Sequence, residues 1–246
     1  MKKTIVAAVI ILTAVASPAF ASFIGTEISL NHRYGRSSDI KSGQPYELWR
    51  VLSDMGYAAL ADDVRRDVLG QTTSSAYSAY KNAFWQTCKY SNYLTIEVSA
   101  YSSASKFGWY EKGFADDVGD MSKSTWATVF TGVDGAGSTA VFKNRNQLGF
   151  WINPNGVAGR YYFTDAASNG GNLQAVTFEL GGYQGYDQDD YLVCFEDLRY
   201  SSCDCDRDFQ DMIVRVHTSR ECPEPITMAL FGLGVVGVAL SRYRKH

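Results

Sequence analysis

The spacing of apolar residues changes along the chain, and each change predicts a different kind of element. Residues 1–21 carry Lys2-Lys3, an apolar run from Ile5 to Val15, and then Ala19-Phe20-Ala21. A basic start, an apolar middle and a small-residue ending are the parts of an export signal peptide cleaved after Ala21. Ser22 to Gly43 is polar, with one strand expected over Phe23–Leu30. Pro45 stands where a helix favours its first residue, and Leu48, Val51, Leu52 and Met55 follow the i, i+3, i+4, i+7 pattern up to Gly56. Leu60, Val64 and Val68 predict a second short helix ending at Gly70. The two helices are expected to pack on each other or on the domain that follows. Gln71–Tyr80 is rich in Ser, Thr and Ala and reads as a loop.

From Ala83 the period becomes two. Leu94, Ile96, Val98 and Ala100 alternate with Thr95, Glu97 and Ser99, as a half-buried strand does. Further strands are predicted at Lys106–Tyr110, Trp126–Val133, Val141-Phe142, Leu148–Ile152, Arg160–Phe163 and Leu173–Leu180. Asp134-Gly135, Asn153-Pro154-Asn155-Gly156, Ser168-Asn169-Gly170-Gly171 and Gly181-Gly182 supply turns between them. The last two strands flank an acidic loop: Tyr191–Phe195 before it, and after it Met212, Val214 and Val216 alternating with Ile213, Arg215 and His217. The predicted fold class is mainly β, an antiparallel β-sandwich of jelly-roll type, with a short N-terminal helical segment and a C-terminal membrane-spanning helix. The expected divisions are a signal peptide (1–21), a helical and loop segment (22–80), the β domain (81–218) and a tail (219–246) with a helix over 226–240.

Ile226 to Leu240 is a fifteen-residue, mostly apolar run followed by Arg242, Arg244 and Lys245. A helix of that length spans roughly 22 Å, short of a hydrocarbon core of roughly 30 Å. The basic cluster favours an anchor with its end on the cytoplasmic side.

Charge narrows the function classes. The formal net charge is -3, and removing Lys2 and Lys3 with the signal peptide leaves 21 basic against 26 acidic residues, or -5. A further cut after Pro225 leaves 18 against 26, or -8. An acidic exported body favours cations and disfavours anionic partners, nucleic acid among them. The acidic residues concentrate in one place. Glu196, Asp197, Asp204, Asp206, Asp208 and Asp211 put six carboxylates within sixteen residues, a density that calls for a cation or for several N–H donors. Calcium takes six to eight oxygen ligands, and these six residues are the candidate metal ligands. Asp204, Asp206 and Asp208 share the spacing of an EF-hand start, but Phe209 and Arg215 stand where that loop needs Gly and Glu. Two other readings remain. Arg207 and backbone N–H groups could satisfy the carboxylates in a purely structural turn. Alternatively, Glu196 or Asp197 could serve as acid or base in a glycan hydrolase, although neighbours on an extended strand point to opposite faces. The sequence has no G-x-S-x-G, H-E-x-x-H or Gly-rich phosphate loop, and His32, His217 and His246 are scattered.

Five cysteines in an exported chain predict disulfides, with at least one thiol free or pairing between chains. Cys194 with Cys203 or Cys205 could staple the acidic loop. A zinc site on the same three is disfavoured by the C-x-C spacing and the oxidising compartment.

Two stretches resemble known families. Pro223-Glu224-Pro225, the short apolar span and the basic cluster resemble the PEP-CTERM sorting tail of Gram-negative bacteria. That resemblance implies transient anchoring in the inner membrane and processing by an exosortase, with Pro223, Glu224 and Pro225 as its recognition element. It also implies release to the cell surface or medium, in bacteria that make extracellular polysaccharide. Phe195-Glu196-Asp197-Leu198, then Asp206-Arg207-Asp208-Phe209-Gln210-Asp211 and an apolar strand, resemble the bacterial domain-of-unknown-function family 4114. Phe107-Gly108-Trp109-Tyr110 and Leu148-Gly149-Phe150-Trp151 add to the likeness, whose expected extent is Ala83–Thr218. The chain departs from that family's pattern at Phe209, at Gln210 and at Cys203-Asp204-Cys205, which replaces a Gly-rich turn.

Overall fold

The computed structural model describes residues 22–28, 48–68, 79–86, 92–99, 103–142, 147–198, 209 and 211–218. The elements, in chain order, are β1 (Ser22–Ile28), α1 (Leu48–Asp54), α2 (Ala58–Val68), β2 (Ala79–Gln86), β3 (Asn92–Ser99), β4 (Lys106–Glu111), β5 (Trp126–Thr131), β6 (Thr139–Phe142), β7 (Gln147–Asn153), β8 (Tyr162–Phe163), β9 (Ala175–Glu179), β10 (Asp190–Phe195) and β11 (Met212–His217). The expected membrane-spanning helix over 226–240 lies outside the described residues. Among those described, no helix is long and apolar enough to cross a membrane.

The expected antiparallel β architecture is present, but not as two separate sheets. The strands form one hydrogen-bonded path, β5-β4-β7-β2-β9-β10-β11-β3-β6, with β1 beside β2 and β8 beside β7. Rings from strands that are not neighbours meet inside it: Phe142 on β6 reaches Phe150 on β7 at 5.8 Å, and Phe107 on β4 reaches Phe195 on β10 at 6.2 Å. The sheet therefore curls over itself and is nearly closed. Its two end strands, β5 and β6, are consecutive in the chain and joined by residues 132–138.

Alternation explains which residues fill the inside. On β10, Tyr191, Val193 and Phe195 enter the interior with Trp85, Phe107, Phe150 and Val214. Leu192 and Cys194 point the other way, where Leu48, Leu52, Leu60 and Val64 of the helices cover them together with Val176, Phe178 and Ile213. A strand buried on both faces has no polar positions to show, which is why Leu192–Phe195 reads as an unbroken apolar run. Burying each Leu or Val of the helices contributes roughly 1.5–3 kcal/mol, enough to hold two helices too short to persist alone. α1 closes at Gly56, whose φ of +92° is the left-handed turn that glycine adopts freely.

The repeated aromatic-glycine-aromatic pattern has a steric cause. Gly108 lies opposite Trp151, and Gly149 opposite Tyr110, in the β4–β7 pairing. A Cβ on either glycine would stand 2.5 Å from the opposing ring, so each glycine leaves room for its partner's aromatic side chain.

β2 falls partly in the segment expected to be a loop. Its upper end, Ala79-Tyr80, pairs with β9, while Trp85-Gln86 pairs with β7. Between them Asn82 takes φ +54°, and opposite it β1 shifts register between Ile24 and Thr26. Ala79 faces the helix-covered core, whereas Ala83 and Trp85 face the interior. The bulge breaks the two-residue period, so alternation could not mark the strand's true start.

Candidate functional site

The acidic loop hangs from the β10–β11 hairpin. The hairpin runs from the rung Asp190–His217 to the rung Phe195–Met212, so Glu196 and Asp211 emerge side by side just past its end. Gln174, 2 % exposed, braces that point. Its carbonyl accepts from the Glu196 N–H at 3.0 Å, and its Nε2 donates to the carbonyls of Glu196 at 3.2 Å and Leu198 at 2.8 Å. The Asp197 N–H donates to Asp211 Oδ2 at 2.8 Å, and the Leu198 N–H to Glu196 Oε1 at 3.0 Å. Phe209, fully buried in the helix-covered core with φ +55°, ties the returning chain down two residues before Asp211.

One carboxylate oxygen each from Glu196, Asp197 and Asp211 lie within 4.8 Å of one another. At an effective dielectric constant of about 20, two full charges at that distance repel by roughly 3 kcal/mol. The backbone donors at Asp197 and Leu198 offset part of this. Glu196 and Asp197 were expected on opposite faces, but β10 ends at Phe195, and the turn beyond it brings both carboxylates to one point. Of the six predicted ligands, Glu196, Asp197 and Asp211 therefore meet; Asp204, Asp206 and Asp208 lie outside the described residues, as do Pro223, Glu224 and Pro225.

The expected disulfide from Cys194 is not formed. Its thiol is free and wholly buried in the helix-covered core, and burial pushes its pKa well up. The alternation of β10 sends it beneath α1 and α2. Cys203 and Cys205 are outside the described residues.

A second cluster, at the other end of the same hairpin, escaped the sequence reading. Asp187, Asp190 and His217 also bring one ligand atom each within 4.8 Å of one another. Asp190 is fully buried; its carboxylate accepts from Arg215 at 2.7 Å, sits 2.9 Å from His217 Nδ1, and accepts from the Asp187 N–H at 3.0 Å. Burial alone would raise its pKa, but the bonds from Arg215, His217 and Asp187 outweigh burial and hold it below the usual aspartate range. The signal was available: Arg215 and His217 share one face of β11 by alternation, and an antiparallel hairpin sets His217 opposite Asp190. Separation along the chain made His217 look solitary.

No curated protein and no solved structure matches the chain. The likeness expected from Ala83 onward is met over a shorter span that starts at Gly137 and leaves β2–β5 outside it. Residues 137–219 match a domain of unknown function, DUF4114, and residues 221–245 match the PEP-CTERM protein-sorting motif, which marks the chain as an exosortase-sorted secreted or cell-surface protein.

Proposed function

We propose that this is an exported surface protein whose carboxylate centre at Glu196, Asp197 and Asp211 holds a calcium ion, and whose β domain contacts extracellular polysaccharide or other matrix components. Residues 226–240 would hold it in the inner membrane until an exosortase acts at Pro223-Glu224-Pro225.

The observation that carries the calcium reading is the convergence of one carboxylate oxygen each from Glu196, Asp197 and Asp211 on a single point. Calcium binds oxygen at about 2.3–2.6 Å, so ligands on opposite sides of one ion stand about 4.6–5.2 Å apart. Asp204, Asp206 and Asp208 belong to the same connection and would add oxygens, with carbonyls and water filling the remaining positions. A glycan hydrolase is less well served. Glu196 is 1 % exposed, out of a sugar's reach, and the oxygens stand closer than the roughly 5–9.5 Å that separates a glycosidase pair.

Thermal melting of the exported protein in calcium and then in chelator tests this. Saturation at one hundred times Kd adds about 2.7 kcal/mol, or about 5–10 °C for a protein of this size. Identical melting curves in both buffers would sink the calcium reading.

A further inference from the structure

A cleft of about 630 Å³ opens beside the carboxylate centre, bounded by residues 158–162, 168–170, Asn172, Gln174 and Leu198. Arg160 stands in its wall. Its Nε donates to the Tyr162 hydroxyl at 3.1 Å, one Nη2 N–H donates to the Asp197 carbonyl at 2.9 Å, and the guanidinium lies 5.7 Å from the centre of the Tyr162 ring. These contacts fix its position but leave its charge unmatched, because among the described residues no carboxylate forms an ion pair with it. Arg215 differs, since Asp190 neutralises it at 2.7 Å. A guanidinium carries five N–H donors, so Arg160 keeps three to offer. A positioned arginine with spare donors, inside a concave wall, is a receptor for a planar anion such as a carboxylate.

The rest of the lining limits what carries that carboxylate. Tyr161 gives a half-buried aromatic side chain, Tyr162 is buried behind Arg160, and Ser168 and Asn172 give small polar groups. Asn169 bonds the backbone of both Phe163 and Asp165, so this wall is built in advance. An aromatic side chain beside hydroxyl and amide groups suits a ring with an apolar C–H face and a rim of hydroxyls. The body of the protein is acidic, so the anion must be recognised locally and not by net charge. We propose that the cleft binds a carboxylate-bearing sugar, a uronic acid residue of an acidic polysaccharide, with its carboxylate on Arg160. This rests on the reading that the β domain contacts polysaccharide, and it names the place and the sugar class.

Titration calorimetry of the exported protein in calcium tests it, with trigalacturonic acid as the probe and maltotriose as the neutral control. Arg160→Ala removes the anion's partner, and Ala158→Trp, at an exposed position on the rim, fills the cleft without deleting a side-chain hydrogen bond. The acidic trimer should bind the native protein at least 10-fold more tightly than the neutral one, and Arg160→Ala should weaken it by about 10-fold or more. Ala158→Trp should abolish binding with the melting temperature unchanged, and it decides the matter if Arg160→Ala fails to fold. Equal binding to all three proteins would overturn the cleft while leaving polysaccharide contact standing. So would retention of long polysaccharides in sedimentation with no binding of the trimer. If the native protein retains neither trimer nor polymer, both readings fall.

Discussion

Two groups of carboxylates flank one six-rung hairpin, and they solve the same electrostatic problem differently. At the Asp190 end the chain supplies its own cation. Arg215 reaches the buried carboxylate at 2.7 Å and His217 takes the other oxygen at 2.9 Å. At the Glu196 end, the backbone N–H of Asp197 donates to Asp211 and that of Leu198 to Glu196, and the nearby Arg160 spends a donor on a carbonyl. A carboxylate matched by arginine is a structural clamp. A backbone N–H cancels less of a carboxylate's charge than a guanidinium does, which leaves more of it for a mobile cation. Proximity of acidic side chains therefore does not by itself distinguish a metal centre from a salt bridge; the identity of the nearest donor does.

The largest effect should come from breaking the clamp. Arg215→Leu leaves Asp190 buried without its cation and should cost about 3–5 kcal/mol in urea unfolding, with the calcium-dependent rise in melting temperature intact. Asp211→Asn should do the reverse. It removes a ligand and should erase most of the rise of about 5–10 °C that calcium gives, with little change in chelator. If each variant disturbed both properties equally, the two ends would not be separate devices.

Acid sharpens the contrast. The folded-state pKa of Asp190 is lowered, so its contribution to stability is fully present above the ordinary aspartate range and is lost as pH falls through the folded value. Urea midpoints measured in chelator from pH 7 down to strong acid should fall over that window, and Asp190→Asn should flatten the curve there. The smallest expected effect is His217→Gln, about 1 kcal/mol or less, because this half-exposed partner can be replaced by an amide donor. A loss as large as that of Arg215→Leu would make the histidine, not the arginine, the principal partner of Asp190.

Local patterns in the sequence foretold local structure. The i, i+3, i+4, i+7 spacing from Leu48 to Met55 marks α1, and the alternation Met212, Val214, Val216 sorts β11 correctly between the interior and the helix-covered face. Period alone failed where geometry bends. Asn82 breaks β2, and the end of β10 at Phe195 lets Glu196 and Asp197 converge. It also could not reveal contacts set by pairing at long range, such as His217 with Asp190 or the brace of Gln174 on Glu196. The likeness spans Phe195–Asp211 and six acidic residues, of which Glu196, Asp197 and Asp211 meet among the described residues.

The sealed thiol of Cys194 has a consequence for passage through an oxidising compartment. Five cysteines cannot all pair, and an unmatched one on the surface invites cross-linking to other molecules. With Cys194 shut beneath two helices, out of reach of exchange partners, the odd number is absorbed inside the protein. Cys88, Cys203, Cys205 and Cys222 are then left as an even number.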